Sequence, residues 1–170
     1  MSFLQKEPVQ RAEKFLKEFD SNLNVISLET SARTAADAAN SLKCEVGAIV
    51  KSLLFSADDK FILCLVSGDK KASLNKLKKN LDIKNMEMAK AEDVKEVTGY
   101  TIGGVSPVGH LKKIDIYIDK NLDRFKELYA AAGHPNCVFK IDFKNLVQIT
   151  NGSILDITEW DNLYWLTIYY

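Results

Sequence analysis

Ala48-Ile49-Val50-Lys51-Ser52-Leu53-Leu54-Phe55 is the stretch whose reading decides the fold. Apolar residues occupy both alternating faces, the pattern of a strand buried on both sides of a sheet. Lys51 interrupts the pattern. A lysine inside a core strand is costly unless its ammonium finds a counter-charge or a wet cavity. The polar, turn-prone segment Ser56-Ala57-Asp58-Asp59-Lys60 follows, then a second apolar run from Phe61 to Val66, so the pair is expected to form a hairpin. Gly68-Asp69 ends it.

Upstream, Val9, Ala12, Phe15, Leu16 and Phe19 mark one face of a helix from about Pro8 to Asp20, with Arg11, Glu13, Lys14, Lys17 and Glu18 around it. Val25 to Leu28 reads as a short strand. Thr34 and Asp37 resemble a capping box before an Ala-rich helix whose small side chains allow close approach to a sheet. Downstream, Ser73, Leu74, Leu77 and Leu81 open an amphipathic helix, Met86 to Ala89 a short strand, and Ala91 to Thr98 a short helix. Ile114 to Ile118 reads as a β-branched strand. Phe125, Leu128 and Tyr129 are expected on a helix closed by Gly133. Val138 to Ile141 is a strand, Asp142 caps a helix carrying Leu146, Val147 and Ile149, and Ile154 to Ile157 is the last strand. Helices and strands mix without strict βαβ alternation, so the expected fold is α/β mixed (α+β): one domain with a mixed sheet and peripheral helices. An aromatic end, Trp160 to Tyr170, is expected to pack on the domain or on a partner.

The chain has 170 residues, which suits one domain. Hydrophobic residues make up 46%, enough for a core. Basic and acidic residues balance at 23 each, which argues against a globally basic nucleic-acid binder and leaves room for a local patch. Cys44, Cys64 and Cys137 are three in number with no CxxC pair, the usage of reduced thiols in a cytosol, so a cytoplasmic location is expected. No signal-peptide pattern opens the chain, and no apolar run approaches the ~20 residues a membrane span needs. Lys70, Lys71, Lys76, Lys78, Lys79 and Lys84 form the densest basic cluster, either a solvated helix face or a phosphate-backbone contact.

Three pieces carry chemistry. The segment Gly99-Tyr100-Thr101-Ile102-Gly103-Gly104-Val105-Ser106-Pro107-Val108-Gly109-His110 holds four of the eight glycines. Gly103-Gly104 lets backbone approach a ligand and offers adjacent N–H groups to an oxyanion; the alternative is a structural connection. It is neither a P-loop nor a dinucleotide fingerprint. Lys51 could hold a phosphate, act as a base or amine nucleophile if burial lowers its pKa, or be a lysine snorkelling at a sheet edge. His134, in a Gly-His-Pro turn, could donate a hydrogen bond or shuttle a proton, or be a polar surface residue. The expectation is that these pieces line one pocket, with Lys51 awaiting an anion. His110 and His134 are too few for a zinc site, and no metal or cofactor is expected.

Ile49 to Phe55, Thr98 to His110 and Ala132-Gly133-His134-Pro135, in this order and at this spacing, resemble the YbaK family, free-standing relatives of the editing domain inserted in bacterial prolyl-tRNA synthetase. The similarity runs from about Ala12 to Thr158. It implies a YbaK-like, partly barrel-like mixed sheet flanked by helices over residues 1–158, with 159–170 a separate aromatic tail. It also implies an aminoacyl-tRNA deacylase that removes a mischarged small amino acid from tRNA, tRNA(Pro) first, with the acceptor end of aminoacyl-tRNA as partner and a synthetase as a further one. Lys51 matches the lysine that holds phosphate and ribose of the terminal adenosine. By the same resemblance Lys51, Gly103, Gly104 and His134 are catalytic, while Ser52, Ile102, Val105, Ser106, Pro107, Gly133 and Pro135 bind substrate. A second reading is a catalytically silent module of the same fold that grips tRNA or a synthetase; a remoter one is a binder of small phosphate esters.

Overall fold

The anticipated hairpin is the centre of the molecule. In the computed structural model, which describes residues 2–30 and 32–161, β2 (Ile49–Ala57) pairs antiparallel with β3 (Lys60–Ser67) from Val50↔Ser67 to Ala57↔Lys60. Asp58 turns the corner at φ 51°, a left-handed position that Asp tolerates better than most residues. Its carboxylate accepts the N–H groups of Lys84 and Asn85 at 3.2 and 2.8 Å.

The sheet grows outward from both strands. β6 (Asp115–Asp119) lies parallel to β3, and β9 (Ser153–Leu155) parallel to β6. On the other edge of β2, β7 (Leu128–His134) pairs parallel with Ile49 and Val50, then β8 (Cys137–Ile141) and β1 (Val25–Ser27) follow antiparallel. The same edge is taken further along by β5 (Met86–Met88), opposite Phe55 to Ala57. These eight strands form one mixed, curled sheet, as expected. A separate ribbon joins β4 (Lys70–Ala72) to β10 (Thr158–Trp160). Because β7 and β5 leave β2 at different points, the edge from Lys51 to Leu53 carries no strand partner among the described residues, and the Leu54 carbonyl accepts the Ala89 N–H at 3.0 Å. That gap in the ladder is where the sheet is split.

Helices cover the faces. α1 (Glu7–Phe19) packs on β7 through Val9, Ala12 and Leu16. α2 (Ala35–Leu42) starts with the anticipated capping box: Asp37 N–H donates to Thr34 Oγ1 at 3.1 Å and Thr34 N–H to the Asp37 carboxylate at 3.2 Å. α3 (Leu74–Leu81), α4 (Ala91–Thr98) and α5 (Phe143–Thr150) complete the shell, with Ser73 and Asp142 capping α3 and α5. The largest buried cluster lies on the face of β2 bearing Val50 and Leu54; two smaller ones surround Ile49 and Phe55 on the opposite face. No helix among the described residues is long and apolar enough to cross a membrane.

Four expectations fail locally. The helix through Phe125, Leu128 and Tyr129 is instead a short 3-10 turn, Lys120–Arg124, followed by strand β7. Its alanines favour helix in isolation, but their small side chains here let α1 lie against the strand. Gly133 does not close a helix: it ends β7 at φ 90°, and a Cβ there would lie 2.5 Å from the Pro8 carbonyl oxygen. The strand expected over Ile154 to Ile157 stops at Leu155, and the chain resumes as β10 at Thr158. Finally, the buried face of α1 is rotated: Phe15 and Phe19 are exposed, while Arg11 turns inward. The rest of the aromatic end, Tyr164 to Tyr170, lies outside the described residues.

Candidate active site

The unpaired edge of β2 opens into a cleft of about 260 Å³ lined by Ser52, Leu53, Leu54, Met88, Ala89, Val94, Ile102, Gly103 and Val105. Strand β2 supplies its floor, the end of β5 one wall, and the glycine segment the other. The lining is apolar apart from Ser52 and the backbone of Gly103. Ser52 is 6% exposed, and its Oγ is the single buried side-chain oxygen or nitrogen among the described residues that has no hydrogen-bond partner.

The glycine segment is held rigidly from behind. Arg11, which sequence reasoning placed on the solvent side of α1, donates from Nε to the Gly109 carbonyl and from Nη2 to the Gly99 carbonyl, both at 2.9 Å. Its guanidinium lies 4.6 Å from the centroid of the Tyr100 ring. The Tyr100 hydroxyl donates to the Val108 carbonyl at 2.8 Å, and burial pushes its pKa up to about 12. Gly99 and Gly109 both have positive φ, and a Cβ at Gly109 would lie 2.6 Å from the Tyr100 hydroxyl. Nothing in the sequence marks Arg11 beyond its position on an amphipathic helix.

The Gly-His-Pro turn meets the glycine segment directly. Gly133 N–H donates to the Gly104 carbonyl at 3.0 Å. A Cβ on Gly104 would lie 2.9 Å from the His134 Cα, and one on Gly103 would lie 3.3 Å from the Pro135 ring. His134 Nδ1 accepts the Asn136 N–H at 3.1 Å, which leaves Nε2 as the protonated nitrogen of the neutral ring. The ring stacks on Phe3 at 4.3 Å; burial, with Lys6 adding to it, lowers its pKa. Ser106 is fully buried and structural in its contacts: its Oγ accepts the Val108 N–H, and its carbonyl contacts His110 Nε2 at 2.6 Å. Pro107 is buried beside it.

Of the residues singled out in the sequence, Ser52, Ile102, Gly103 and Val105 therefore line one cleft. Gly104, Ser106, Pro107, Gly133, His134 and Pro135 back it. The anticipated pair of free N–H groups is reduced to one. Gly104 N–H is committed to the Thr101 carbonyl at 2.9 Å, whereas Gly103 N–H makes no hydrogen bond within the described residues. Met88, Ala89, Leu53, Leu54 and Val94 also line the cleft, and in sequence they look like ordinary core residues.

Lys51 is not on this wall. Side chains alternate along a strand, and the Lys51 side chain leaves the face opposite Ser52, where its ammonium donates to the Lys70 carbonyl of β4. It is 1% exposed, so the snorkelling alternative is closed. Burial holds its pKa down at about 8, against the upward pull of the Asp161 and Asp69 carboxylates. Beyond it, the Lys70 ammonium sits 3.6 Å from the Trp160 ring centroid, and Arg124 binds Asp69 at 2.7 and 3.1 Å. Within the basic cluster, Lys71 pairs with Glu159 and Lys76 with Asp156, while Lys79 and Lys84 are exposed. The thiols are poor nucleophiles: burial raises the pKa of Cys64, and that of Cys137 to about 11. No group of three or more metal-ligating side chains occurs among the described residues.

This architecture has close counterparts. The family model of the aminoacyl-tRNA editing domain matches residues 29–149, which include the whole cleft. The chain belongs to that family. It is 35% identical over 116 residues to the proline--tRNA ligase of Caldicellulosiruptor saccharolyticus, covering 66% of this chain and 20% of that one; it thus spans about a fifth of the length of such ligases. It is 28% identical over 126 residues to EbsC of Enterococcus faecalis, named as a candidate Cys-tRNA(Pro)/Cys-tRNA(Cys) deacylase, covering 74% and 77% of the two chains. Among solved structures, a candidate trans-editing enzyme for prolyl tRNA synthetase superposes with a TM-score of 0.86 at 35% identity, over 91% of this chain and 98% of that one. Arg11 lies outside the matched span, so the clamp on the glycine segment comes from a helix that precedes it.

Proposed function

We propose that the chain is an aminoacyl-tRNA deacylase acting in trans, in the cytoplasm, on a small amino acid wrongly esterified to tRNA, with tRNA(Pro) the first candidate. The observation that carries this reading is the cleft at the split in the sheet: small, apolar, and provided with one free backbone N–H at Gly103. An aminoacyl ester is intrinsically labile, so positioning and electrostatic stabilisation suffice. Water adds to the ester carbonyl, and the Gly103 N–H stabilises the oxyanion. The bond to the ribose oxygen then breaks, the ribose hydroxyl takes a proton, and the amino acid leaves with its carboxyl group. Neutral His134, fixed by Asn136 and Phe3, supports the wall on which this occurs. The high thiol pKa values speak against a cysteine nucleophile.

Lys51 is assigned to the terminal phosphate. Its ammonium now holds a neutral carbonyl oxygen, and a phosphate is the stronger acceptor. The same observation favours a second reading, a silent module that grips tRNA or a synthetase, because the ammonium is already satisfied away from the cleft. A zero net charge is consistent with a partner sharing the tRNA, since unaided affinity leans on many phosphate contacts.

A deacylation panel tests both. It comprises tRNA(Pro) charged with Ala, Ser, Cys, Thr, 2-aminobutyrate or Pro, and tRNA(Ala) charged with Ser or Gly, with Lys51→Ala as control. Turnover of a mischarged species, lost in the control, supports the deacylase. Turnover retained in the control removes Lys51 from the mechanism. A flat panel from folded protein favours the silent module.

A further inference from the structure

We propose that Ser52 makes this cleft selective for amino acids bearing a β-hydroxyl, serine and threonine, over alanine and other purely apolar side chains of similar size. The inference rests on the deacylase reading and names its substrate class.

The argument starts from hydrogen-bond accounting. Buried polar groups in folded proteins are nearly always paired, and here every other buried side-chain oxygen and nitrogen among the described residues is. Ser67 donates to the Gly47 carbonyl; Thr98 donates to the Val94 carbonyl at 2.6 Å; Ser106 accepts from Val108; Thr158 donates to Asp119 at 2.9 Å. Ser52 alone is buried and unpaired, and it is the one with a cleft in front of it. The surrounding side chains, Leu54, Ala89, Ile102 and Val105, offer neither a donor nor an acceptor.

A seryl or threonyl side chain entering this cleft brings a hydroxyl that can both donate and accept. It completes the Ser52 hydrogen bond within an apolar surround, where such a bond is electrostatically stronger than in water. An alanyl side chain leaves Ser52 Oγ unpaired. A site with a polar group built for a substrate hydroxyl discriminates against the analogue that lacks it. For one neutral hydrogen bond the expected discrimination is roughly tenfold. The volume of about 260 Å³ and the apolar lining suit a small side chain better than a ribose, which carries several hydroxyls needing partners at once.

Two activity and binding measurements and a thermal midpoint test this with wild type, Ser52→Ala and Ser52→Thr. The first is the ratio of kcat/KM for Ser-tRNA(Pro) against Ala-tRNA(Pro). The second is calorimetric binding of non-hydrolysable seryl and alanyl amides of 3′-amino-3′-deoxyadenosine. The expected result is a preference for seryl of about tenfold in wild type, kept in Ser52→Thr, and collapsed towards one in Ser52→Ala because the seryl rate falls more. The thermal midpoint of unliganded Ser52→Ala is expected to equal or exceed that of wild type, since an unpaired buried hydroxyl is removed. A lower midpoint means the hydroxyl has a structural partner and overturns the proposal. A wild-type ratio at or below one, a ratio untouched by Ser52→Ala, or no binding of either amide also overturns it. A seryl preference in amide binding without turnover of any ester sustains the Ser52 assignment and removes the deacylase reading instead.

Discussion

On one face of β2 the Lys51 ammonium is sealed against β4 and held by the Lys70 carbonyl; on the other, one residue along, the Ser52 hydroxyl borders a cleft with no partner at all. Both are polar groups in a strand whose pattern otherwise asks for apolar residues. The charged one has a backbone acceptor and two carboxylates nearby, yet burial still dominates its pKa. The neutral one costs far less to leave unpaired. A fold can therefore hold a vacancy for a ligand on a hydroxyl more cheaply than on an ammonium. The cleft wall is kept soft in energy and rigid in position, the rigidity coming from the Arg11 clamp and from the close approach of α1 to β7.

The comparison breaks most severely if that close approach is disturbed. Gly133→Ala combines an unfavourable φ with a clash against the Pro8 carbonyl and the Val9 nitrogen, both backbone atoms. A loss of about 4 kcal/mol is expected by chemical denaturation; a loss below about 1 kcal/mol would mean that α1 rides freely on β7.

Next in size is the lysine itself. An unfolded lysine keeps its proton up to about 10.5 and the folded one releases it near 8. Between those values the unfolded chain binds more protons, so stability rises with pH through this window, and the burial cost is fully present below it. Lys51→Met is expected to stabilise the fold at pH 7 by up to about 3 kcal/mol, an advantage that shrinks as pH climbs from 8 towards 10.5. An advantage independent of pH would assign the effect to packing and not to charge.

Arg11→Met should cost about 2 kcal/mol through two charged hydrogen bonds and depress deacylation further than stability, since it frees the wall that carries Gly103. Urea titration alongside kcat/KM separates the two. The smallest effect belongs to Trp160→Ala, about 1 kcal/mol from the lost Lys70 contact. Urea titration reads it, and an unchanged midpoint would mean that the contact of Trp160 with Lys70 adds nothing to stability.

Legibility differed along the chain for physical reasons. The hairpin, the capping box and the Asp142 cap were readable because neighbours in sequence determine them. Phe125, Leu128 and Tyr129 keep a helical spacing that misleads, while the strand exists through pairing with Ile49, Val50 and β8 and through the space α1 needs. Arg11 looked like a solvent-facing cation because the carbonyls it binds lie 88 and 98 residues away.

The three blocks around Lys51, Gly103-Gly104 and His134 were enough to mark the family, since residue identity and order are properties of the chain. Their division of labour was not. Which polar residue of β2 faces the cleft depends on the strand's rotation in the sheet. Which glycine N–H is free depends on the turn that Thr101 closes. Where the sheet splits depends on where β7 and β5 part from a common edge. Each is fixed by contacts between segments distant in sequence, and only the folded chain brings those segments together.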